Sequence, residues 1–394
     1  MFFDCAVVGA GPVGLFATYV LRMLGLRTIV LETSAGVGGQ CSALYHEKPV
    51  YGVPLAIGMN AGDVVKQLYE QATCFGGAIF LGTTVSSIRQ VDGGGFEIST
   101  KSTQNIHEAQ QVCPVTERID GGRYGAQAQS CTQRTAQAEH RLDEPANFQG
   151  LGDERELVVL NGVSTCIHSK TVIIAAGAGA FTPNKLGQPN EDEFAGKTLF
   201  YGISSIKDFA GKRVVVVGGG NAAVDWSLEL SKIAKSVDLI HRRETFRCNQ
   251  TTLQLLSDRV MTNCLQETSG KNVRIHTPFR VVSLEGNEGR LTRVKVVSEK
   301  KDVSGCGEFF IDADYLLVFC GLLANVNCMK DWGIALDGQK IAVNEAGETN
   351  VRGIFAAGDV VCYPNKLNIL AVGFGEAAKA AYAVKRLLNE IEKG

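Results

Sequence analysis

Three glycines, Gly9, Gly11 and Gly14, follow an apolar run at the start of the chain in the spacing G-x-G-x-x-G. After a strand, this spacing serves a dinucleotide. The first glycine allows a tight turn, the second lets backbone approach a pyrophosphate, and the third lets the next helix pack close. The helix N-terminus that follows offers free N–H groups and a positive dipole end to the phosphates. The whole loop, Gly9-Ala10-Gly11-Pro12-Val13-Gly14 with Pro12 included, is read as cofactor-binding. Glu32 closes the second apolar run, 18 residues after Gly14, where an acid would take the adenosine ribose hydroxyls.

A second loop, Gly218-Gly219-Gly220-Asn221-Ala222-Ala223, repeats the pattern as G-x-G-x-x-A after the apolar run Val214–Val217. Gly218, Gly220, Asn221 and Ala223 are its candidate binding residues. No acid ends the second strand of this unit; the sequence there is His241-Arg242-Arg243. Arginines in that place favour a 2′-phosphate through charge-assisted, often bidentate hydrogen bonds, so NADPH is expected over NADH. Residues 197–300 hold 17 Lys plus Arg against 10 Asp plus Glu, a net of +7, whereas the whole chain carries −2. A basic nicotinamide domain suits a cofactor with several phosphates, and it would also steer an acidic protein partner.

Two strand–glycine turn–helix–strand units imply an α/β chain with two Rossmann-like, three-layer dinucleotide-binding domains. The first is expected over 1–190, resuming over 316–394, and the second over 197–315. The first is interrupted at 101–156 by a stretch rich in Gln, Ala and charge with no sustained apolar period. That stretch reads as a long mobile surface insertion, tolerated because loop length is entropically cheap, in preference to a lid or partner loop. The chain's last stretch, "NILAVGFGEAAKAAYAVKRLLNEIEKG", has the spacing of an amphipathic helix.

Composition excludes several classes. With 394 residues, 45% hydrophobic and 20% charged, the chain reads as an ordinary soluble globular protein with a sizeable core. A net charge of −2 argues against a general nucleic-acid binder. No uninterrupted apolar run is long enough for a membrane span, and Arg22 breaks the best candidate. Twelve cysteines are scattered with no CxxC pair, which points to a reduced, cytoplasmic protein without a zinc knuckle or other metal site.

Near the C-terminus, "IFAAGDV" sets Asp359 after an apolar strand and a glycine, and "TVIIAAGA" spans Thr171 to Ala178. Both resemble the two-dinucleotide flavoproteins, in which such an aspartate holds the flavin ribityl chain. On that resemblance the first site takes FAD. Disulfide reductases of this kind carry a cysteine pair near the flavin, either as Cys-x4-Cys or as CxxC before the second loop. Here Cys41 faces His46 at the required spacing, and "LFYGISSIKDFAGKR" before the second loop holds no cysteine. Both dithiol positions are empty.

The stretches "GGQCSALYHEKPVYGVP", "HSKTVIIAAGAGAFTPNKL", "GGGNAAVDWSLEL", "IHRRETFRC" and "NVRGIFAAGDV…NILAVGFGEA" together resemble the thioredoxin-reductase-type ferredoxin–NADP reductases. The resemblance covers nearly the whole chain outside the insertion. It implies a thioredoxin-reductase-like FAD/NAD(P) fold, FAD and NADPH as cofactors, a homodimer, and a ferredoxin or similar small iron–sulfur protein as partner. It further implies that Glu32 holds ribose, Gln40 contacts the flavin and Tyr45 stacks on the isoalloxazine. Val85 and Phe181 would line the FAD, and Asp359 would hold its ribityl or pyrophosphate part. No catalytic acid or base is implied, because the flavin carries the hydride chemistry. Many members of that family carry a tail after the last helix that covers the second flavin face. This chain ends at Gly394, so that face is expected to be open or covered differently. An NADPH-dependent disulfide reductase, a general NADPH diaphorase and a non-enzymatic flavin redox sensor are the alternatives. The arginine pair after the second loop speaks against the last.

Overall fold

The apolar run Phe2–Val8 forms the strand β1, and the helix α1, Pro12–Met23, follows the first glycine loop. The structure is a computed structural model that describes residues 2–103, 133–136, 157–177, 179, 182–203, 205–260, 272–300, 307–323 and 328–393. By its internal contacts the chain divides into two units. The first takes Met1–Phe181 and Ala324–Gly394, the second Thr182–Leu323.

In the first unit the strands are β1, β2 (Thr28–Leu31), β3 (Gly77–Leu81), β4 (Thr83–Gln90), β5 (Phe96–Ser102), β6 (Gln133–Ala136), β7 (Leu157–Asn161) and β8 (Cys166–Ile174). They line up in the order β4-β5-β8-β1-β2-β3-β7-β6, and Ile354–Ala356 also pairs with β8. The pairings of β1 with β2 and β8, and of β2 with β3, are parallel, whereas β5 runs antiparallel to both β4 and β8. Because side chains alternate along a strand, β1 feeds two cores. Cys5 and Val7 face Leu15, Val20 and Leu21 of α1 and Ala377, Ala380 and Val384 of the helix Leu370–Ile391. Ala6 and Val8 face Ile29, Phe80, Val85 and Trp332. Of the segment read as an insertion, 101–102 complete β5 and 133–136 pair with β7; the remainder of 104–156 lies outside the described residues.

The second unit has a parallel sheet in the order Leu199–Phe200, Tyr315–Val318, Arg213–Val217, Ser236–Ile240, Val273–His276. Its strand Arg213–Val217 alternates in the same way. Val214 and Val216 pack toward Ala223, Val224 and Trp226 of the helix Asn221–Leu230, while Val215 and Val217 pack toward an antiparallel meander through Val281, Leu284 and Val294. Helix, sheet and meander make three layers. A buried carboxylate ties two of the strands: Asp238, 1% exposed, accepts from Arg274 at 2.6 Å and lies 2.8 Å from His276 Nε2. Burial alone would push this carboxyl up, and the Arg274 and His276 hydrogen bonds outweigh it and hold it below its ordinary value.

Candidate cofactor sites

In the first loop the protein itself requires two of the three glycines. A Cβ on Gly9, whose φ is +105°, would lie 2.6 Å from the Ala175 carbonyl oxygen. One on Gly14 would lie 2.0 Å from the Gly9 carbonyl oxygen. The middle glycine differs: a Cβ on Gly11 meets nothing within 4 Å. Gly11 therefore borders open space at the N-terminus of α1, where a helix can receive a pyrophosphate. Pro12 is the first residue of that helix.

Glu32 is buried beneath this loop. One carboxylate oxygen accepts the Ala10 N–H at 2.7 Å and the other accepts the Ser34 N–H at 2.8 Å. Burial pushes its pKa up, and these backbone bonds pull against the rise. The Ser34 hydroxyl and the Thr33 N–H also pull on this carboxylate, which ties it firmly into the loop.

The chain returns to the loop at Gly38, whose N–H donates to the Ala10 carbonyl at 2.8 Å. A Cβ on Gly39 would sit 3.4 Å from the Gly11 Cα, so the short helix α2, Gly39–Ala43, starts beside the middle glycine. Gln40 is its second residue. Tyr45 follows it, half-buried, with the Lys48 ammonium 5.3 Å from its ring centroid. Cys41 is pushed up to about 11, first by burial, with the nearby Asp359 charge adding and Lys48 opposing. It is a neutral thiol. Position 46, five residues after Cys41, where a Cys-x4-Cys pair would end, holds the His46 ring. That ring occupies the space where a Gly62 Cβ would go, at 2.3 Å.

Asp359 is exposed on the turn after Ile354–Ala356. The preceding Gly358 has φ +88°, and a Cβ there would touch the Val13 side chain at 3.3 Å. Gly373, in the first turn of the helix Leu370–Ile391, packs on the same Val13. Thus the glycine loop, Glu32, Gln40, Cys41 and Asp359 come together. The Val85 side chain belongs to the sheet core that also holds Ile29 and Phe80, and Phe181 lies outside the described residues.

The second loop repeats the geometry. Gly218 has φ +153°, and a Cβ there would lie 2.6 Å from the Phe319 carbonyl oxygen and 2.8 Å from the Ala223 Cβ. A Cβ on Gly220 meets nothing within 4 Å. The segment 241–249 folds back over the loop: the Arg247 N–H donates to the Gly219 carbonyl at 2.7 Å, and Asn221 Oδ1 accepts the Asn249 N–H at 2.8 Å. The His241 ring packs directly on Gly219 and, at 5.0 Å between centroids, on Phe246. Burial lowers its pKa, and the Arg243, Arg242 and Arg247 charges lower it further against the pull of the Thr245 carbonyl. His241 is thus a neutral wedge that shapes the loop. Arg242, Arg243 and Arg247 are exposed, and among the described residues none of the three forms an ion pair. The acid between them, Glu244, is held by Lys300 at 2.7 Å. Arg247 was not singled out in the sequence, although "HRRETFRC" displays it; its backbone bond to Gly219 is what marks it.

The family model described as pyridine nucleotide-disulphide oxidoreductase matches residues 3–383. This chain belongs to that family. Among its relatives, the ferredoxin--NADP reductase of Ehrlichia ruminantium (strain Gardel) is 31% identical over 386 residues, 98% of this chain and 93% of that protein. The ferredoxin--NADP reductase of Paramagnetospirillum magneticum is 34% identical over 387 residues, again 98% of this chain and 93% of that protein. In fold, the chain is similar to the crystal structure of T. acidophilum thioredoxin reductase, with a TM-score of 0.69, 23% identity and 97% of each chain covered. This pyridine nucleotide-disulphide oxidoreductase has the thioredoxin-reductase-like FAD/NAD(P) fold, and its cofactors are FAD and NADPH. Open space beside Gly11 and beside Gly220, each directly before a helix, leaves room for two dinucleotide pyrophosphates. Among the described residues eight cysteines are present and all are free, and the position that would pair with Cys41 in a Cys-x4-Cys site is His46. Spacing along the chain showed no metal ligands. Across neighbouring strands the fold does gather Glu97, Cys166 and His168, with ligand atoms within 4.8 Å, and there the Arg89 guanidinium already holds Glu97.

Proposed function

We propose that this chain is a ferredoxin–NADP reductase that holds FAD at the Gly9–Gly14 loop and NADPH at the Gly218–Ala223 loop. The observation that carries the reading is the full-length likeness to ferredoxin--NADP reductases, combined with a flavin-side segment in which Cys41 has no second thiol. When bound, the flavin supplies two-electron chemistry toward the nicotinamide and one-electron chemistry toward an iron–sulfur acceptor.

The side chains bind and orient. Gly11 and the α1 N–H groups receive the FAD pyrophosphate. Glu32 fixes the loop through Ala10 and Ser34 and is the residue that meets the adenosine ribose. Gln40 and Tyr45 meet the flavin ring, Val85 and Phe181 border the cofactor, and Asp359 takes its ribityl or pyrophosphate part. Arg242 and Arg243, joined by Arg247, take the 2′-phosphate of NADPH, while neutral His241 holds the loop's shape. An acidic ferredoxin or a similar small iron–sulfur protein suits the basic 197–300 stretch. A homodimer in the reducing cytoplasm completes the reading. Among the described residues no helix is long and apolar enough to cross a membrane.

Thiol titration separates this reading from a disulfide reductase. Reduction by NADPH is expected to expose no new thiols, and Cys41→Ser is expected to keep its ferredoxin-dependent rate. A pair of new thiols per flavin, lost in Cys41→Ser, would overturn it.

A further inference from the structure

Behind Asp359 the fold buries an ion pair that none of these roles uses. Lys366 Nζ contacts Glu376 Oε1, and the two side chains are only 6% and 12% exposed. Tyr363 donates its hydroxyl to the same oxygen. The other oxygen, Glu376 Oε2, accepts the N–H of Gly358 at 2.8 Å. Burial and the Glu376 hydrogen bond push the Tyr363 hydroxyl up to about 12, so it stays protonated as a donor.

Gly358 is the residue before Asp359. Its left-handed backbone presses against Val13 in the first turn of α1, inside the glycine loop. The turn that carries Asp359 is therefore packed on the phosphate loop on one side and hung from Glu376 on the other. Burying two charges is unfavourable, and apolar residues of similar size could pack that helix as well. An apolar residue cannot accept the Gly358 N–H, and an unpaired backbone N–H there would be a loss of its own.

We propose that Glu376 is a positioning residue for the flavin site: it fixes the Gly358–Asp359 turn, and Lys366 and Tyr363 hold its carboxylate in place. The inference rests on the reading of Asp359 as a ligand of FAD.

Two neutral double variants test it. K366M/E376Q removes both charges and keeps an oxygen for the Gly358 N–H. K366M/E376L removes both charges and the acceptor. The readouts are the release of FAD from purified holoenzyme, followed by flavin fluorescence on dilution, and the melting of the stripped chain. K366M/E376Q is expected to hold FAD about as well as the parent. At a temperature well below the melting of both stripped chains, K366M/E376L is expected to hold it roughly tenfold more weakly, the cost of leaving one backbone N–H unpaired, although it melts somewhat lower for want of that acceptor. Equal FAD release from the two variants would overturn the proposal, as would weakening that follows melting alone. Asp359→Ala is the control for the underlying reading. Unchanged FAD release in that variant would remove the role of Asp359, and the proposal with it.

Discussion

Gly14→Ala is expected to give a chain with little FAD and a melting temperature lower by roughly 5–10 °C, whereas Gly11→Val is expected to melt normally when stripped and fail only in holding FAD. The two glycines are three residues apart in one loop, yet their surroundings are opposite. A Cβ on Gly14 falls 2.0 Å from the Gly9 carbonyl oxygen, which is backbone. Gly9 cannot retreat, because its own φ is +105°, its Cβ position abuts the Ala175 carbonyl, and its N–H is bonded to Leu31 at 2.8 Å. The helix α1 would have to move instead, carrying the fully buried Leu15, Ala17 and Leu21 out of register with β1. Overpacking of that kind destabilises by about 1–3 kcal/mol or more, and a unit of this size loses roughly 2–4 °C per kcal/mol. Gly11 has no protein atom to meet within 4 Å. A side chain there enters the space read as the pyrophosphate site, with no clash at its Cβ. Flavin content of the purified proteins and melting of the stripped chains check both halves. A Gly11→Val protein with full flavin would mean that the pyrophosphate lies elsewhere.

The second large effect is on nucleotide choice. Arg242→Ala/Arg243→Ala is expected to lower kcat/KM for NADPH by roughly 100-fold and to change that for NADH little. A hydrogen bond to a charged group contributes about 1.5–3 kcal/mol, and both arginines are exposed, so the lower end applies: about tenfold for each. Adding Arg247→Ala is expected to deepen the loss, because the backbone bond from Arg247 to Gly219 fixes that side chain's base beside the loop. Steady-state kinetics with both nucleotides read this directly. Equal losses with NADPH and NADH would point to a damaged loop, and no loss with NADPH would place the 2′-phosphate away from these residues.

The glycine loops and Glu32 could be picked out from spacing within one short segment, and Asp359 from the resemblance to two-dinucleotide flavoproteins. The same holds for the missing dithiol, which needs only the identity of residue 46. What spacing could not show is where register and packing bring distant residues together. Glu376 reaches Gly358 only because the helix Leu370–Ile391 lies against the turn. Glu97 meets His168 only because β5 and β8 pair in that register. The ring of His241, read with the arginines as a cofactor-binding residue, packs on Gly219 and Phe246, a relation that a basic tripeptide does not reveal.

The measurement that bears most directly on the function is NADPH-dependent cytochrome c reduction with and without an added ferredoxin. The predicted result is an acceleration that saturates with ferredoxin concentration and weakens as salt rises, since the basic 197–300 stretch would steer an acidic partner. An NADPH-dependent rate that ferredoxin leaves unchanged, with quinones or ferric chelates reduced as readily, would contradict the account and make the chain a general diaphorase.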